Sequence, residues 1–191
     1  MNFFKPRFWD KKQISAYSIF LLPISLIIQF FGKIRNLSTN GEKFSIPVIC
    51  VGNIYLGGTG KTPICIELNS ILKNLNKKTV YIRKKHGAYE DEKKLLEQSG
   101  PVYERSKRAE ALNDALKNKF EVAILDDGFQ DFSIKKDLSF ICFNEKQWIG
   151  NGCVIPSGPL REELSALSRA NCVVINGEKN TYIENEILKK N

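Results

Sequence analysis

A glycine-rich stretch followed by a lysine and a threonine is the part of this 191-residue chain most suited to chemistry: residues 51–63 read VGNIYLGGTGKTP. Glycine has no Cβ, so its backbone can bend sharply and approach a ligand closely. A lysine after such a loop can reach the β- and γ-phosphates of a nucleotide, and the next threonine hydroxyl can bind Mg²⁺. The pattern predicts a phosphate-binding loop made of Tyr55, Leu56, Gly57, Gly58, Thr59, Gly60, Lys61 and Thr62.

This loop departs at one position from the P-loop pattern G-x-x-x-x-G-K-[ST]. The first glycine of that pattern would fall at position 55, where the chain has Tyr55. The remaining GGTGKT still directly follows a run of apolar residues, which favours a phosphate-binding loop over a simple glycine turn. The dinucleotide pattern G-x-G-x-x-G is absent.

A second acidic motif could complete the site with a metal ion. Residues 122–130 read VAILDDGFQ, so an apolar strand ends at Asp126 and Asp127. In P-loop proteins an acidic residue after a later strand helps to hold the magnesium ion. We therefore predict that both carboxylates lie at the same sheet edge as Lys61; a turn built on Asp-Asp-Gly is the structural alternative.

Alternating strand and helix patterns predict the scaffold that would position these residues. Short apolar runs predict strands at 46–52, 79–83, 120–127, 138–143 and 172–176. Patterns between them predict helices at 61–78, 91–98, 105–118 and 159–170. Such alternation is typical of a mainly parallel sheet covered by helices. The predicted fold class is α/β, P-loop NTPase-like, with the P-loop domain at 46–191.

The amino-terminal segment has a different character. Residues 16–31 carry no charge and lie between basic residues at 11 and 12 and basic residues at 33 and 35. Polar residues at 18, 25, 29 and 36 form one narrow stripe on a helix. A buried core helix, a membrane-spanning helix and a secretory signal are alternatives, but 16 residues are short for a span. We predict a membrane-interface helix and a polar linker at 35–45, which together form a membrane-associating unit at 1–45.

Composition narrows the classes of partner. The net charge is +8, and residues 1–43 hold seven basic against two acidic groups, so the surplus flanks the apolar segment. This placement favours a membrane surface and predicts no nucleic-acid partner, since no nucleic-acid-binding motif accompanies it. Five scattered cysteines without a CxxC pair indicate a reducing compartment, and the single His86 leaves few options for histidine-based metal sites or triads.

Three motifs together resemble the tetraacyldisaccharide 4'-kinase family, the lipid A kinases of Gram-negative bacteria. The family is similar in GN-x-x-x-GGTGKTP, here residues 52–63, and in DDG-[FL]-Q, here residues 126–130. The third similarity is a G-N-G to GPLRE-x-L-S-x-L-x-R-A segment, here residues 150–170. The segments FW and LLPIS (21–25) also resemble the membrane-docking helix of the family.

The resemblance implies transfer of the γ-phosphate of ATP, with Mg²⁺, to the 4'-hydroxyl of a lipid A disaccharide 1-phosphate precursor. It implies a monomer at the cytoplasmic face of the bacterial inner membrane. Its implied site residues are Lys61 and Thr62 for phosphate and metal, Asp126, Asp127 and Glu162 for the metal and phosphate site, Arg161 for the transferring phosphoryl group, and Asp91 as general base.

Two departures from the family pattern leave alternatives open. The family's R-G-Y-G element reads RKKHG here, so that only Arg83 is matched, and family members run roughly half as long again. A membrane-associated regulatory P-loop ATPase is one alternative, although its loop would carry a lysine where this chain has Leu56. An inactive fragment of the kinase is the other.

Overall fold

A six-stranded parallel sheet forms the centre of the molecule. The computed structural model describes residues 5–85 and 90–189. The strands are β1 (Val48–Gly52), β2 (Thr79–Lys84), β3 (Val102–Arg105), β4 (Val122–Asp126), β5 (Leu138–Asn144) and β6 (Cys172–Asn176). Their order across the sheet is β3-β2-β4-β1-β5-β6, and each neighbouring pair is parallel. The predicted α/β class is confirmed.

Helices cover both faces of this sheet, as right-handed crossovers between parallel strands require. The α-helices of the described residues are α1 (Ala16–Ser38), α2 (Lys61–Asn74), α3 (Glu90–Ser99), α4 (Arg108–Lys117) and α5 (Thr181–Leu188), of which α2 to α5 cover the sheet. One apolar cluster joins the sheet to α4 and α5, and a second joins it to α2 and α3. All residues of β1 and β4 are buried, as expected of central strands between two helical layers.

Strand order brings the two predicted motifs together. β1, which leads into the glycine loop, pairs directly with β4, in the register Val51 to Asp126. Because parallel strands end at the same edge of a sheet, the loop after β1 and the carboxylates after β4 are neighbours.

The predicted helix at 159–170 is wrong. Leu160 instead forms isolated bridges to Tyr55 and Val154, and only Leu164–Arg169 forms a short 3-10 helix. The backbone at the start of this segment is bonded to the glycine loop, so it cannot make helical hydrogen bonds. Two further elements, β3 and α5, were not predicted: β3 is a four-residue edge strand, and α5 lies in the lysine-rich tail.

Helix α1 is longer than the uncharged segment and packs on the sheet domain through its polar stripe. Ser18 and Ser25 are both 0% exposed. Asn151 Nδ2 donates to Ser18 Oγ at 3.0 Å, and Ser25 Oγ donates to the Val154 carbonyl at 2.9 Å. Near its end, Arg35 donates to the Gln130 carbonyl at 3.0 Å. The predicted linker therefore begins only after Ser38.

The opposite face of α1 is apolar and exposed, and includes Phe20, Phe30 and Phe31. By length and composition, Ala16–Ser38 is the one helix in the described part of the chain that could cross a membrane, with a mean hydropathy of 1.7. At about 1.5 Å per residue its 23 residues are long enough, so the sequence argument from length does not hold. This property alone is weak evidence, because signal sequences and buried helices share it.

The segment before α1 also contacts the domain. Trp9 is buried, its Nε1 donates to the Pro156 carbonyl at 3.0 Å, and its carbonyl accepts from Asn151 N at 2.9 Å. Gly150 lies so close that an added Cβ would be 2.3 Å from the Trp9 oxygen. Residues 5–38 and the loop at 150–158 thus form one packed unit.

Candidate active site

The glycine loop connects the end of β1 to the start of α2, where the helix dipole and free N–H groups favour an anion. Gly60 precedes Lys61 with φ +86°, a conformation that favours glycine. A Cβ added to Gly58 would meet no atom within 4 Å, so this part of the loop borders open space. An open loop that leads into a helix N-terminus is therefore suited to an anion.

Asn53 braces the loop from inside. Its side chain is buried, and Nδ2 donates to the Gly57 carbonyl at 3.2 Å and to Thr59 Oγ1 at 3.0 Å. Gln130 Nε2 in turn donates to the Asn53 carbonyl at 2.9 Å. Sequence reasoning did not assign Asn53 or Gln130 to the site, although both lie within the quoted motifs.

The first half of the loop is held by the segment that was expected to be helical. Leu56 N donates to the Pro159 carbonyl at 2.8 Å, and Arg161 N donates to the Ile54 carbonyl at 2.7 Å. Tyr55 is fully buried and packs with Leu160 in a small apolar cluster. The residue that replaces the first glycine of the P-loop pattern thus anchors the loop with its side chain.

Lys61, Asp127 and Arg161 meet beside the loop. Lys61 Nζ lies 3.8 Å from Asp127 Oδ1. Arg161 Nη1 donates to both carboxylate oxygens of Asp127 at 3.1 Å. Burial raises the pKa of Asp127, but Lys61, Arg161 and Arg108 outweigh it, so this pKa lies below its usual value. Lys61, Arg161 and the ionised carboxylate of Asp127 therefore lie together at the sheet edge.

Asp126 is more deeply buried than Asp127, at 3% exposed. Its Oδ2 lies 3.1 Å from Arg83 Nε, while its Oδ1 has no hydrogen-bond partner among the described residues. Burial raises the pKa of Asp126 to about 6, against the opposing effects of Arg83 and Lys61. A buried carboxylate oxygen without a partner is suited to a cation.

Arg108 of α4 fixes the turn that carries both carboxylates, and sequence reasoning did not identify it. Its Nη2 donates to the Asp127 carbonyl at 2.8 Å and to the Asp126 carbonyl at 3.3 Å, and its Nη1 lies 3.0 Å from Asp131 Oδ2. Asp127 itself has φ +55°. Only a structure could connect α4 to this turn, since an arginine on a helix is ordinarily a surface residue.

The remaining predicted site residues, Thr62, Glu162 and Asp91, have different surroundings in the structure. Thr62 is buried in the first turn of α2. Glu162 follows Arg161, but its carboxylate pairs with Arg169, and its Oε1 is buried without a partner in the described structure. Asp91 is exposed in the first turn of α3, whereas the next residue, Glu92, reaches Arg83 at 3.5 Å. His86 lies outside the described residues.

A cavity of about 610 Å³ lies against this centre, between α1 and the 3-10 helix Leu164–Arg169. Arg161 and Glu162 line one part of it, and Ile28 and Phe31 of α1 line another. Its size falls within the usual range for ligand sites. The cavity therefore extends from the apolar helix to Arg161, which contacts Asp127.

The donor set fits Mg²⁺ better than a transition metal. No group of three or more His, Cys, Asp or Glu side chains suited to a metal occurs in residues 5–85 and 90–189. Mg²⁺ is commonly held by one or two carboxylates with substrate phosphates and water. Asp126, with its free oxygen, Asp127 and the Thr62 hydroxyl could supply such oxygen ligands.

A family model and two curated relatives that resemble this chain carry the same family description. A sequence model of the family described as Tetraacyldisaccharide-1-P 4'-kinase matches residues 17–190. The chain is 46% identical over 186 residues to a tetraacyldisaccharide 4'-kinase of Pelagibacter ubique, covering 96% of this chain and 58% of that protein. A tetraacyldisaccharide 4'-kinase of Rickettsia bellii is 34% identical, covering 90% and 58%.

A solved structure is similar as well. The crystal structure of LpxK from Aquifex aeolicus in complex with ATP aligns with a TM-score of 0.70 and 26% identity, covering 83% of this chain and 58% of that one. This likeness supports the fold described above. In each of these comparisons the chain spans 58% of the relative's length.

Proposed function

This chain belongs to the tetraacyldisaccharide-1-phosphate 4'-kinase family, and on that premise we propose that it transfers the γ-phosphate of ATP to the 4'-hydroxyl of a tetraacyldisaccharide 1-phosphate, a lipid A precursor. The observation that carries the proposal is the meeting of Lys61, Asp127 and Arg161 beside an open glycine loop. This arrangement places positive charge where a terminal phosphate would enter.

Lys61 and Arg161 are the proposed phosphoryl-binding residues. Phosphoryl transfer depends mainly on positioning and on stabilising negative charge in the transition state. Lys61 would bind the terminal phosphates held by the loop backbone of residues 55–60, and Arg161 would face the transferring group. Since Arg161 now donates to Asp127, that carboxylate keeps the guanidinium in place until a phosphate enters.

Asp126, Asp127, Thr62 and Glu162 are the proposed metal and phosphate ligands. A bound Mg²⁺ would neutralise charge on the phosphate oxygens. Arg83 holds one oxygen of Asp126 and so leaves the other oxygen for the ion. Glu162 is held by Arg169, which would keep it next to Arg161.

Asp91 is the proposed general base for the acceptor hydroxyl. It lies at the start of α3, on the chain that follows β2, so it can face the same sheet edge as Asp126. A carboxylate within hydrogen-bond reach of the hydroxyl would accept its proton as the new P–O bond forms. Glu92, one residue later, contacts Arg83 and is assigned a supporting role.

Residues 1–45 are proposed to place the domain of residues 46–191 on the cytoplasmic face of the inner membrane, as a monomer. The exposed apolar face of α1 supports an interfacial position, and its polar stripe is already occupied by the domain. A helix packed in this way along the domain is better suited to lie at the surface than to cross the bilayer alone. The acceptor lipid would then reach the cavity directly from the membrane.

The experiment is an assay of ATP-dependent phosphorylation of the disaccharide lipid in mixed micelles. Lys61→Ala is expected to reduce turnover by at least 100-fold, because charge stabilisation of the terminal phosphates is lost. Asp91→Asn is expected to reduce kcat more than Glu92→Gln does, because only Asp91 would accept the proton. Lys94→Ala is the matched control, since Lys94 is exposed on α3 and its side chain forms no hydrogen bond or ion pair with the described residues.

Undiminished turnover in Lys61→Ala would contradict the proposal. ATP hydrolysis that does not depend on the lipid would favour the regulatory ATPase. Nucleotide binding without product would favour an inactive fragment, which the 58% coverage of the relatives keeps as the second candidate.

A further inference from the structure

Three cations gather around one aromatic ring next to the cavity. Arg169 Cζ lies 4.9 Å from the centroid of the Phe132 ring, Arg35 Cζ lies 5.4 Å from it, and Lys136 Nζ lies 5.9 Å from it. The three residues come from different parts of the chain: α1, the loop before β5, and the 3-10 helix Leu164–Arg169. We call them the Phe132 cation cluster.

The positive charge of this cluster is poorly compensated. Arg169 pairs with Glu162, and the nearby Asp131 pairs with Arg108. Among residues 5–85 and 90–189, neither Arg35 nor Lys136 forms an ion pair within 4 Å, although the Asp131 charge acts on Lys136: each donates to a backbone carbonyl, of Gln130 and Asp131 respectively. Burial lowers the pKa of Lys136, as expected for an ammonium group held partly out of water.

Its position links the cluster to the proposed acceptor site. Arg35, Arg169 and Phe132 line the same cavity as Arg161. The wall formed by α1 carries apolar side chains at one end and Arg35 at the other. A ligand that filled this cavity would therefore meet the transfer site, an apolar surface and a cationic surface.

We propose that the Phe132 cation cluster binds the phosphate monoester that the acceptor lipid already carries, with Arg35 and Arg169 as its direct ligands. This inference rests on the proposed function, and it names the group of the acceptor that the cluster recognises. Guanidinium groups suit phosphate because they offer two parallel N–H donors. Lys136 adds to the positive potential, and the phosphate would supply the counter-charge that the protein lacks here.

Co-sedimentation with phosphatidylcholine vesicles tests the proposal without any need for turnover. The vesicles contain the tetraacyldisaccharide 1-phosphate, the same disaccharide without its phosphate, or phosphatidic acid at equal density. The unaltered chain is expected to bind the 1-phosphate lipid most tightly. Arg35→Gln is expected to lose about tenfold of that preference, the usual effect of one hydrogen bond to a charged group. Arg35→Lys is expected to retain part of the preference for the 1-phosphate lipid. Lys94→Gln, which removes an exposed charge on α3, is expected to retain all of that preference.

Equal preference in Arg35→Gln and the unaltered chain would overturn the proposal. So would equal binding of phosphatidic acid and the 1-phosphate lipid, since the cluster would then bind bulk anionic lipid. Lys136→Gln, checked for an unchanged unfolding temperature, is a second variant and is expected to weaken the preference as well. Absence of turnover in the unaltered chain, with the binding preference intact, would contradict the proposed activity and leave the phosphate site standing.

Discussion

Asp126 and Asp127 are adjacent in sequence, but the protein gives their carboxyl groups opposite properties. Burial raises the pKa of Asp126 to about 6, whereas Lys61, Arg161 and Arg108 overcome burial at Asp127 and lower its pKa. Pairs of acids with divergent environments are common where acids must serve different roles. Asp126 keeps one oxygen without a partner among the described residues, whereas both oxygens of Asp127 accept from Arg161.

The stability of the metal-free chain should depend on pH in opposite directions through these two groups. The native pKa of Asp126, about 6, exceeds the ordinary value of 3.8. The native state therefore holds a proton that the unfolded chain releases, and the free energy of unfolding falls as pH rises from 4 to 6, by on the order of 3 kcal/mol. Asp126→Asn should remove that fall.

Asp127 should make the free energy of unfolding depend on pH in the acidic range. Because its native pKa is below the ordinary value of 3.8, its contribution is present above pH 4 and is lost as pH falls below it. Urea unfolding in EDTA between pH 3 and 7 measures both effects, with Asp127→Asn expected to flatten only the acidic limb. Identical pH profiles for the two variants would show that their environments do not differ in this way.

At the residue scale, the sequence predicted where residues of a recognisable motif lie. Lys61 and Asp127 were expected at one sheet edge, and their ion pair bears out that placement. Arg108 could not be foreseen, because its role depends on α4 meeting the turn after β4. The roles of Asp91 and Glu162 stay predictions, since neither makes a contact that reports on phosphate or metal.

At the element scale, α1 is held to the domain by hydrogen bonds of its few polar side chains. Its mostly apolar sequence does not predict them. Ser25 Oγ accepts from Ser157 N at 3.1 Å and donates to the Val154 carbonyl at 2.9 Å, all out of contact with water. Pro23 lies within the helix only two residues earlier. The helix is therefore fixed to the domain at its middle.

Ser25→Ala should destabilise this attachment by about 1–3 kcal/mol, because a buried N–H and C=O would lose their partner. Urea unfolding, with proteolysis near α1 as a local measure, should detect the loss. Ser38→Ala is the matched control, since Ser38 is exposed and its long hydrogen bond of 3.4 Å stays within the helix. Equal stability of the two variants would mean that Ser25 does not hold the helix.

The segment at 159–170 shows why a periodic pattern can mislead. Its apolar spacing fits a helix, but Pro159 and Arg161 use their backbone groups to bond Leu56 and Ile54 of the glycine loop. Non-local hydrogen bonds of this kind override local preference, and a single sequence does not reveal them. The strands at the centre of the sheet were predictable because their burial on both faces leaves continuous apolar runs.

At the scale of the whole molecule, the exposed apolar surface and the charged site residues occupy different parts of the protein. The apolar face of α1 points to solvent, while the glycine loop and carboxylates lie at the edge of the sheet domain. The cavity lies between the two. A membrane under α1 would therefore supply a lipid acceptor to the same side of the domain on which the phosphates would be held.

The final prediction concerns that orientation and uses the full chain, because Ser18 and Ser25 make α1 part of the fold. Phe20 and Phe30 are 81% and 61% exposed, so replacing them should not disturb packing. The double substitution Phe20→Glu and Phe30→Glu should reduce co-sedimentation with phosphatidylcholine vesicles at least tenfold, since it removes apolar area and adds two charges at the interface. The unfolding temperature should stay unchanged.

Two exposed residues outside α1 supply the matched control. Leu75 and Tyr182 are 64% and 66% exposed but lie far from α1 in sequence, at the ends of α2 and α5. Glutamate at both positions adds the same charge and removes similar apolar area, so vesicle binding should be retained if α1 alone contacts the bilayer. Equal losses in the two double variants would mean that charge, and not the face of α1, governs binding, and the proposed interfacial position would fail.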